Sequence, residues 1–579
     1  MPSDFWLRTM HDADAGRLPQ ALAAARMRQR MKPRDPETLK LLGLLLQRAG
    51  ELDQAIHFLA EVARLDPASA AHRNDLAVAH MQAGRPQEAR EHWKAALSLD
   101  AAHLEAWLGL SAACLVMDDA AGAVQAAERG LALSPHLPAL VGNLAAALGR
   151  VGRADEAIEV TRRALEHHPG EVALRSSLLL MLSGSERTTQ EVLQAHRDFG
   201  MRLPAPRPPR ATSPAGRALR VGILSSDLRS HSVGYFAAAL IEHAPADTHL
   251  VAFAPPAAAT DPLAQRLHAR MQAWHDTRTL DDAALDASIR RERLDVLIEL
   301  NGHTTGGRLA ALARKPAPVI VSAIGYPNTT GLPAIDRRLA DSITDPSGSE
   351  SLCTERLLRL DPCFLCFTPP AEAPEPAMPE EGQPITFGSF NNVTKIGPAC
   401  LDLWADTLAA VPGSRLLLKF LGSADPATAS WMHERLARRG VDAARVEVAP
   451  YTPGRAEHLA QYRRVHVALD TVPYNGTTTT CEALWMGVPV VTLLGHRHAA
   501  RVSASLLQAC GRGEWVAPSR EAFVRTAAAL ANDGATLAAI RADQRRRLRT
   551  TPPFDAPSYA RRLHAALRQV CEEAARAQD

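Results

Sequence analysis

The pattern of small and apolar positions in the first third of the chain repeats every 34 residues. Apolar residues follow a helical period twice within each repeat, which predicts two antiparallel helices per unit. Alanine and proline each keep their own register, at Ala21, Ala55, Ala89, Ala123 and Ala157 and at Pro33, Pro67, Pro135 and Pro169. Such a repeat predicts a stack of helical hairpins, in which each unit buries its apolar face against the next.

A third register marks the turns between the two helices of a unit. Glycine stands there in four repeats and aspartate in one, at Gly16, Gly50, Gly84, Asp118 and Gly152. The first helix also keeps a small residue opposite the alanines, at Gly43, Ala77, Ser111 and Ala145. Small residues let helix backbones approach closely. We expect about five full units over residues 2–171 and a decayed sixth unit toward residue 202.

The periodicity changes after residue 203, where a proline-rich connector cannot continue a helix. Short β-branched runs then alternate with helical stretches, a pattern typical of a parallel sheet. The runs cover 219–227, 249–254, 294–300 and 318–323, and, after an acidic proline-rich stretch at 371–384, 385–390, 415–420, 445–449, 465–470 and 489–494. The predicted fold class is an α-solenoid followed by two Rossmann-like domains.

We place the domain borders where these patterns change. The solenoid covers 1–202, a linker covers 203–218, and the two Rossmann-like domains cover 219–384 and 385–550. The last segment, 551–579, is an amphipathic helix that either crosses back onto the first domain or caps the second.

The composition excludes several classes of protein. The 579 residues include 65 basic and 63 acidic side chains, so the net charge favours neither a nucleic acid nor a membrane as partner. The eight cysteines are scattered and the N-terminus has no apolar core typical of a signal peptide, so we expect a cytoplasmic protein with reduced thiols. Cys363 and Cys366 form a lone CxxC, which we interpret as packing.

The first candidate for chemistry is a threonine run between a predicted strand and a predicted helix. A helix N-terminus with free N–H groups and several hydroxyls is suited to a diphosphate. The residues are Gly476, Thr477, Thr478, Thr479 and Thr480. The plainer alternative is that one threonine caps the helix and the others are exposed. Lys395 follows the first strand of the same domain, where its ammonium can reach the same crevice or point into solvent.

Two histidines follow strands of the first Rossmann-like domain. His231 lies in SSDLRSH after the first strand, and His303 lies in ELNGHTTGG after a later one. Ligands of such sheets bind beyond the carboxyl ends of the strands, so both histidines are candidates for catalysis across the cleft. The alternative for each is structural hydrogen bonding.

These motifs together resemble the protein O-GlcNAc transferases and the related SPINDLY-type protein O-fucosyltransferases. The resemblance covers nearly the whole chain, and its repeat third resembles the tetratricopeptide repeat. It rests on SSDLRSHSVGYF, ELNGHTTGG, KPAP, IGYPNTTG, FGSFNN followed by KI, and LDTVPYNGTTTTCEALWMGVP. It implies a B-type glycosyltransferase fold and an inverting, metal-independent transfer of a sugar from a nucleotide sugar to Ser or Thr hydroxyls, with no cofactor.

The resemblance also assigns roles to individual residues. It implies that Lys395 and Thr478 to Thr480 hold the diphosphate, and that Arg455, His458 and Glu482 contact the base and ribose. His231 is marked as an essential active-site histidine. Arg455 and Glu482 stand where animal GlcNAc enzymes have lysine and aspartate, which keeps the charges but changes their reach. The catalytic base is left open between His231, another side chain and the α-phosphate of the donor.

The expected donor is UDP-GlcNAc and the expected acceptors are intracellular proteins, bound through the repeat groove and the cleft. GDP-fucose is the alternative donor, because IGYPNTTGLP, DPCFLCFTP, ITFGSFNN and GTTTTCE look at least as similar to SPINDLY proteins. A scaffold with a nucleotide-sensing body is a further alternative, as is glycosylation of asparagine or of a small molecule. The repeats themselves could instead be a spacer or a dimerisation element.

Overall fold

The computed structural model describes residues 2–452 and 454–578. These residues divide into two compact units, of which one runs to Leu174 and includes Asp425–Thr428. The other holds Arg175–Ala424 and resumes at Ala429. None of the helices in the described ranges is long and apolar enough to cross a bilayer.

The first unit is built from the predicted helical hairpins. Five pairs of helices carry the 34-residue repeat, and a sixth pair follows, most of which belongs to the second unit. The helices are α1 (Asp4–Asp14), α2 (Leu18–Met31), α3 (Pro36–Arg48), α4 (Leu52–Leu65), α5 (Ala70–Gln82), α6 (Pro86–Leu99), α7 (Leu104–Val116), α8 (Ala120–Leu133), α9 (Pro138–Arg150), α10 (Ala154–His167), α11 (Val172–Gly184) and α12 (Thr189–Met201).

The repeated glycine or aspartate between the two helices of each unit is explained by its backbone conformation. All five turn residues have positive φ, at 79° for Gly16, 78° for Gly50, 72° for Gly84, 64° for Asp118 and 71° for Gly152. This left-handed conformation favours glycine, and Asp is among the few other residues that adopt it readily. The predicted helical hairpins are therefore confirmed.

The small residues of the repeats lie at the closest helix contacts. The five register alanines are at most 1% exposed. At Gly43 an added Cβ would lie 2.7 Å from Leu59 Cγ, which belongs to the second helix of the same unit. The stripe of small residues therefore sets how tightly the two helices pack.

The sixth helix pair leads into the second unit, which contains most of α11 and all of α12. Helix α12 starts with a capping box between Thr188 and Glu191. Its buried His196 bonds through Nε2 to the hydroxyl of Tyr326 at 2.6 Å, and Ser183 Oγ lies 2.9 Å from the same hydroxyl. A hydrogen-bonded core thus joins this pair to the loop after β5.

The second unit contains two wholly parallel sheets, which confirms the two predicted Rossmann-like domains. The first sheet has the order β3-β2-β1-β4-β5-β6-β7. Its strands are β1 (Leu219–Leu224), β2 (Thr248–Ala254), β3 (Ala273–Asp276), β4 (Val296–Glu299), β5 (Val319–Ser322), β6 (Arg337–Ala340) and β7 (Arg356–Arg359). Sequence order reverses direction between β1 and β4, so the switch point of this sheet lies there.

The second sheet repeats the same order on a smaller scale, as β10-β9-β8-β11-β12-β13. Its strands are β8 (Thr386–Ser389), β9 (Arg415–Lys419), β10 (Val446–Ala449), β11 (Val467–Leu469), β12 (Val490–Leu493) and β13 (Val516–Ala517). The switch point lies between β8 and β11, which pair directly, with Phe387 opposite Val467.

Helices cover the faces of both sheets. Those following the first domain's strands are α13 (Ser232–Glu242), α14 (Pro262–His268), α15 (Asp282–Arg291) and α16 (Leu309–Leu312). The remaining helices are α17 (Pro398–Ala410), α18 (Pro426–Ala437), α19 (Arg455–Ala460), α20 (Thr478–Trp485), α21 (Val502–Ala509), α22 (Arg520–Ala531), α23 (Gly534–Leu548) and α24 (Ala556–Arg576).

Four strands were not predicted, namely β3, β6, β7 and β13. Strand β6 begins with two arginines, and Arg338 is 3% exposed because its guanidinium pairs with Asp345. Because this strand buries a charged residue in an ion pair, it does not show the apolar run by which the other strands were predicted. Strand β13 has only two residues, and β3 and β7 lie at the sheet edge and are only partly buried.

The C-terminal helix α24 packs on the first domain. His564 bonds through Nε2 to the carbonyl of Leu240 in α13 at 3.1 Å, and Arg568 pairs with Asp247 at 2.7 Å. Just before this helix, the carbonyl of Pro553 accepts a hydrogen bond from Phe367 N at 2.7 Å. The chain therefore returns to its first domain beside the segment by which it left.

Replacing Leu567 by alanine tests this packing, because the side chain is fully buried in α24. We expect a loss of about 2–5 kcal/mol in unfolding free energy, since the cavity cannot close completely. Calorimetry should show a lowered Tm. Arg561→Ala, on the exposed side of the same helix, should leave the Tm nearly unchanged; equal effects would contradict the packing.

Candidate active site

The candidate residues lie at the switch points of the two sheets. His231 follows β1 and His303 follows β4, which are the two strands on either side of the first switch point. Lys395 follows β8 and the threonine run follows β11, on either side of the second. Carboxyl ends of strands at a switch point form a crevice, the usual ligand site of such sheets.

A buried carboxylate shapes the loop that carries the threonines. Asp470, at the end of β11, accepts hydrogen bonds through Oδ1 from Thr471 N at 2.8 Å and Gly476 N at 2.7 Å. Its Oδ2 accepts from Thr492 Oγ1 at 2.6 Å. Burial raises the pKa of Asp470. The amide of Gly476 is therefore committed to the loop, and we assign Gly476 to loop support.

The N-terminus of helix α20 keeps its first N–H groups unpaired. Thr477 is the N-cap and makes no side-chain cap bond. The first hydrogen bond of the helix runs from Cys481 N to Thr477 O at 3.1 Å. Within the described chain, no acceptor meets the N–H groups of Thr478, Thr479 and Thr480, which leaves three donors at the positive end of a helix dipole.

The four threonine hydroxyls have different surroundings. Thr480 is 2% exposed and its hydroxyl pairs with Ser503 at 2.9 Å, so it points into the core. Thr479 Oγ1 donates to Asn391 Oδ1 at 2.8 Å. Thr477 and Thr478 are partly exposed. Their hydroxyls form no hydrogen bond with any residue of the described ranges, 2–452 and 454–578. The expected four-hydroxyl site thus reduces to two free hydroxyls.

Lys395 reaches the same loop. Its Nζ donates to the carbonyl of Asn475 at 2.8 Å and lies 3.8 Å from the centroid of the Tyr474 ring. The side chain is half-buried, and burial lowers the pKa of Lys395 to about 8, against the opposing charge of Asp470. The ammonium therefore contacts the residue two positions before Thr477. This places a cation next to the threonine run, as the sequence predicts for one of the two alternatives.

A charged cluster surrounds Glu482 in helix α20. The Glu482 carboxylate is 2% exposed and bonds to the Arg455 guanidinium through Oε1. Its Oε2 lies 3.0 Å from His458 Nε2 and 3.5 Å from the Tyr462 hydroxyl. Burial favours the neutral acid, but Arg455 and His458 outweigh it and lower the pKa of Glu482. Both oxygens thus accept hydrogen bonds from protein groups, and Oε1, whose donor is Arg455, keeps a second lone pair for a further donor.

Arg455 joins this cluster to the first domain. Its guanidinium lies 4.6 Å from the centroid of the Tyr235 ring. Tyr235 is in the first turn of helix α13, whose N-cap is His231. The cluster around Glu482 and the helix that follows His231 therefore meet across the cleft between the two domains.

His231 is available to a ligand. Its side chain is 39% exposed, and Nδ1 lies 3.3 Å from the backbone N of Val233, from which it accepts a hydrogen bond. Asp227 Oδ1 lies 3.7 Å from the same nitrogen. Burial lowers the pKa of His231, against the opposing effect of Asp227. In the described residues His231 forms no direct contact with Lys395 or the threonines.

His303 is placed differently from the sequence expectation. Its side chain is 2% exposed, Nδ1 pairs with Ser176 Oγ at 3.0 Å and Nε2 with the carbonyl of Thr330 at 2.8 Å. Burial lowers the pKa of His303 to about 3. Both ring nitrogens are used by the protein, so in this conformation His303 offers none to a substrate, and its expected position facing the cleft is corrected.

Sequence reasoning missed four residues of the site: Tyr235, Asn391, Lys419 and Asp470. Lys419 ends β9 and its Nζ lies 2.6 Å from His458 Nδ1. Lys419 and Asp470 each stand as the last charged residue of an apolar run, RLLLK and VHVALD. A charge at the end of a predicted parallel strand is the signal that could have found them.

The chain belongs to glycosyl transferase family 41. The model of that family matches residues 203–367 and 376–563, and a tetratricopeptide-repeat family matches residues 46–114. The first match falls on the two Rossmann-like domains and the second on the helical repeats.

Several named relatives are similar to this chain. The probable UDP-N-acetylglucosamine–peptide N-acetylglucosaminyltransferase SPINDLY of Arabidopsis thaliana is 36% identical over 408 residues, 68% of this chain and 44% of that protein. The rice protein of that name is 37% identical over 409 residues, again 68% and 44%. The chain thus spans less than half the length of these relatives.

A solved structure covers more of the chain. A mutant of Thermobaculum terrenum O-GlcNAc transferase superposes with a TM-score of 0.83 at 34% identity, over 89% of this chain and 99% of that one. The UDP-N-acetylglucosamine–peptide N-acetylglucosaminyltransferase of Caenorhabditis elegans is more distant, at 24% identity over 401 residues, 49% of this chain and 34% of that protein.

Replacing Asp470 by asparagine tests the loop geometry. The amide keeps the size but turns one acceptor into a donor, so we expect a loss of roughly 1–3 kcal/mol and a more mobile loop. Hydrogen exchange of the segment 471–480 should accelerate. Thr492→Val removes only the donor to Oδ2 and should have a smaller effect; unchanged exchange in both variants would show that the carboxylate does not hold the loop.

Proposed function

We propose that this chain is an inverting, metal-independent transferase that moves N-acetylglucosamine from UDP-GlcNAc to Ser or Thr hydroxyls of proteins. The observation that carries the proposal is the helix N-terminus at Thr478, with three unpaired N–H groups and the Lys395 ammonium on the same loop. A diphosphate leaving group needs donors of this kind in place before the bond breaks.

In this proposal each part of the site has a separate task. The N–H groups of the first turn and the hydroxyls of Thr477 and Thr478 bind the phosphate oxygens, and Lys395 neutralises the charge that develops on departure. These groups do what a bound divalent cation does in other transferases. Arg455 and His458 lie farther along the cleft, on the nucleoside side.

His231 is the catalytic histidine of the proposal. It caps the helix that contacts Arg455 through Tyr235, and its ring is open to solvent. Its Nδ1 accepts a backbone hydrogen bond, so the neutral ring carries its proton on Nε2 and presents a donor. We propose no residue as the general base that takes the proton of the acceptor hydroxyl. His303 is proposed as a structural residue.

The choice of UDP-GlcNAc rests on the names of the relatives. The plant SPINDLY proteins and the Thermobaculum protein are both described as N-acetylglucosamine transferases. GDP-fucose is the second candidate, because the motifs IGYPNTTGLP, DPCFLCFTP, ITFGSFNN and GTTTTCE resemble those of the SPINDLY-type protein O-fucosyltransferases. The protein acceptor is proposed to use the repeats, whose concave surface suits an extended chain.

Nucleotide binding tests the donor. At 100 times its dissociation constant UDP should stabilise the protein by about 2.7 kcal/mol, whereas GDP should have no effect. The thermal shift should persist in EDTA. Intact-mass measurement on an extract incubated with UDP-GlcNAc should show added N-acetylhexosamine on proteins. If the protein prefers GDP, GDP-fucose replaces UDP-GlcNAc as the proposed donor. If it binds UDP but transfers no sugar, the alternative of a scaffold with a nucleotide-sensing body is favoured.

Two substitutions separate the proposed tasks. Lys395→Met should weaken UDP binding roughly 10- to 100-fold, because it removes a charged donor to the diphosphate. His231→Ala should leave UDP affinity unchanged and lower kcat at least about 100-fold. Calorimetric titration and a steady-state transfer assay measure the two effects. His243→Ala, which alters another histidine of the first domain just beyond α13, is the control and should change neither; near-normal kcat in His231→Ala would remove His231 from the mechanism.

A further inference from the structure

We propose that Lys419 is a positioning residue, which fixes the ring tautomer of His458 and thereby holds Glu482 and Arg455 in place at the nucleoside end of the cleft. The location at a nucleoside site rests on the proposed function. The tautomer does not, because it follows from contacts within the protein.

The three side chains form a line through the imidazole. Lys419 is 2% exposed, and its Nζ lies 2.6 Å from His458 Nδ1 and 5.1 Å from the centroid of the Phe390 ring. On the other side of the ring, His458 Nε2 lies 3.0 Å from Glu482 Oε2. A cation and an anion therefore flank one histidine, one at each nitrogen.

The chemistry of the three groups allows one arrangement of protons. An ammonium has three donors and no lone pair, so His458 Nδ1 must be the acceptor. The proton of the neutral ring is then on Nε2, where it is donated to the Glu482 carboxylate. The other tautomer would set two donors against each other at Lys419 and two acceptors against each other at Glu482.

This arrangement gives each oxygen of the buried Glu482 carboxylate a donor. Arg455 donates to Oε1 and His458 donates to Oε2. The single proton of the Tyr462 hydroxyl has a nearer acceptor in the carbonyl of Thr479, at 3.2 Å. If the histidine changed tautomer or turned over, a buried carboxylate would lose a donor, which is costly in a protein interior. Arg455 would then lose part of the anchor that holds it against Tyr235.

Lys419 thus acts through His458 and not by its own contact with a ligand. Burial lowers the pKa of Lys419 to about 8, and Glu482 opposes this effect. The lysine is therefore mostly charged at pH 7, where the tautomer is fixed. Above pH 8 the neutral amine gains a lone pair and can also accept a hydrogen bond.

The tautomer can be measured directly in the free, full-length protein. In a perdeuterated sample labelled with ¹⁵N-histidine, a long-range ¹H–¹⁵N spectrum at pH 7 distinguishes the two neutral tautomers and the imidazolium. The signal of His458 is identified by its loss in His458→Gln. We expect the tautomer with the proton on Nε2; the Nδ1 tautomer or an imidazolium would overturn the proposal.

Variants of Lys419 test its control of the ring. In Lys419→Met, only Glu482 still favours the proton on Nε2, so we expect this tautomer to remain in excess but no longer to be the single form. We expect UDP affinity to be about tenfold weaker, the equivalent of one net hydrogen bond. Lys419→Arg can only donate and should restore both the single tautomer and the affinity. Lys94→Met, which removes an exposed lysine of α6, is the control and should change neither.

The outcomes separate this proposal from the proposed function. A single Nε2 tautomer that persists in Lys419→Met overturns the role of Lys419, and so does a changed tautomer with unchanged UDP affinity. If the tautomer responds as expected but wild-type protein binds neither UDP nor GDP, the tautomer control stands and the proposed function fails. Should Lys419→Met not fold, Lys419→Gln, whose side-chain amide can accept as well as donate, replaces it in the same two measurements.

Discussion

The candidate site depends on one buried carboxylate, Asp470, at the end of β11. By accepting the N–H groups of Thr471 and Gly476 it folds the intervening loop back on the strand, so that helix α20 starts with its donors toward the crevice. The first domain uses the same device: Glu299, at the end of β4, accepts the N–H groups of Asn301 and Gly302. Each sheet therefore fixes its switch-point loop with an acidic side chain.

Much of the fold could be predicted from the sequence because its signals are local. One repeated position of the 34-residue repeat needs a positive φ, as at Gly16, and another needs a small side chain at a close helix contact, as at Gly43. Each requirement is met by the choice of a single residue, so it is visible in the sequence. The nine apolar runs predicted as strands all occur as strands, because strands buried on both faces read as continuous apolar segments. Strands whose burial depends on a partner, such as β6 with Arg338 and Asp345, carry no such signal.

The site was predictable only in part, for a related reason. The strand-end positions of Lys395, His231 and the threonines could be inferred from order along the chain. Which hydroxyl is free could not, because Thr480 is removed from the site by Ser503, 23 residues away. In the same way, Lys419 meets His458 across 39 residues, and the burial of His303 depends on a helix that precedes its domain.

The return of helix α24 to the first domain makes the second domain an insertion within the first. The outgoing and returning segments lie side by side, bonded from Phe367 N to Pro553 O, so both covalent links cross at one place. Side-chain contacts also join the two domains: Ser505 Oγ donates to Asp341 at 2.5 Å, and His498 Nδ1 lies 2.5 Å from Asp345 Oδ2. Because the two connections run side by side, any change in the angle between the domains must bend both segments together and release these contacts.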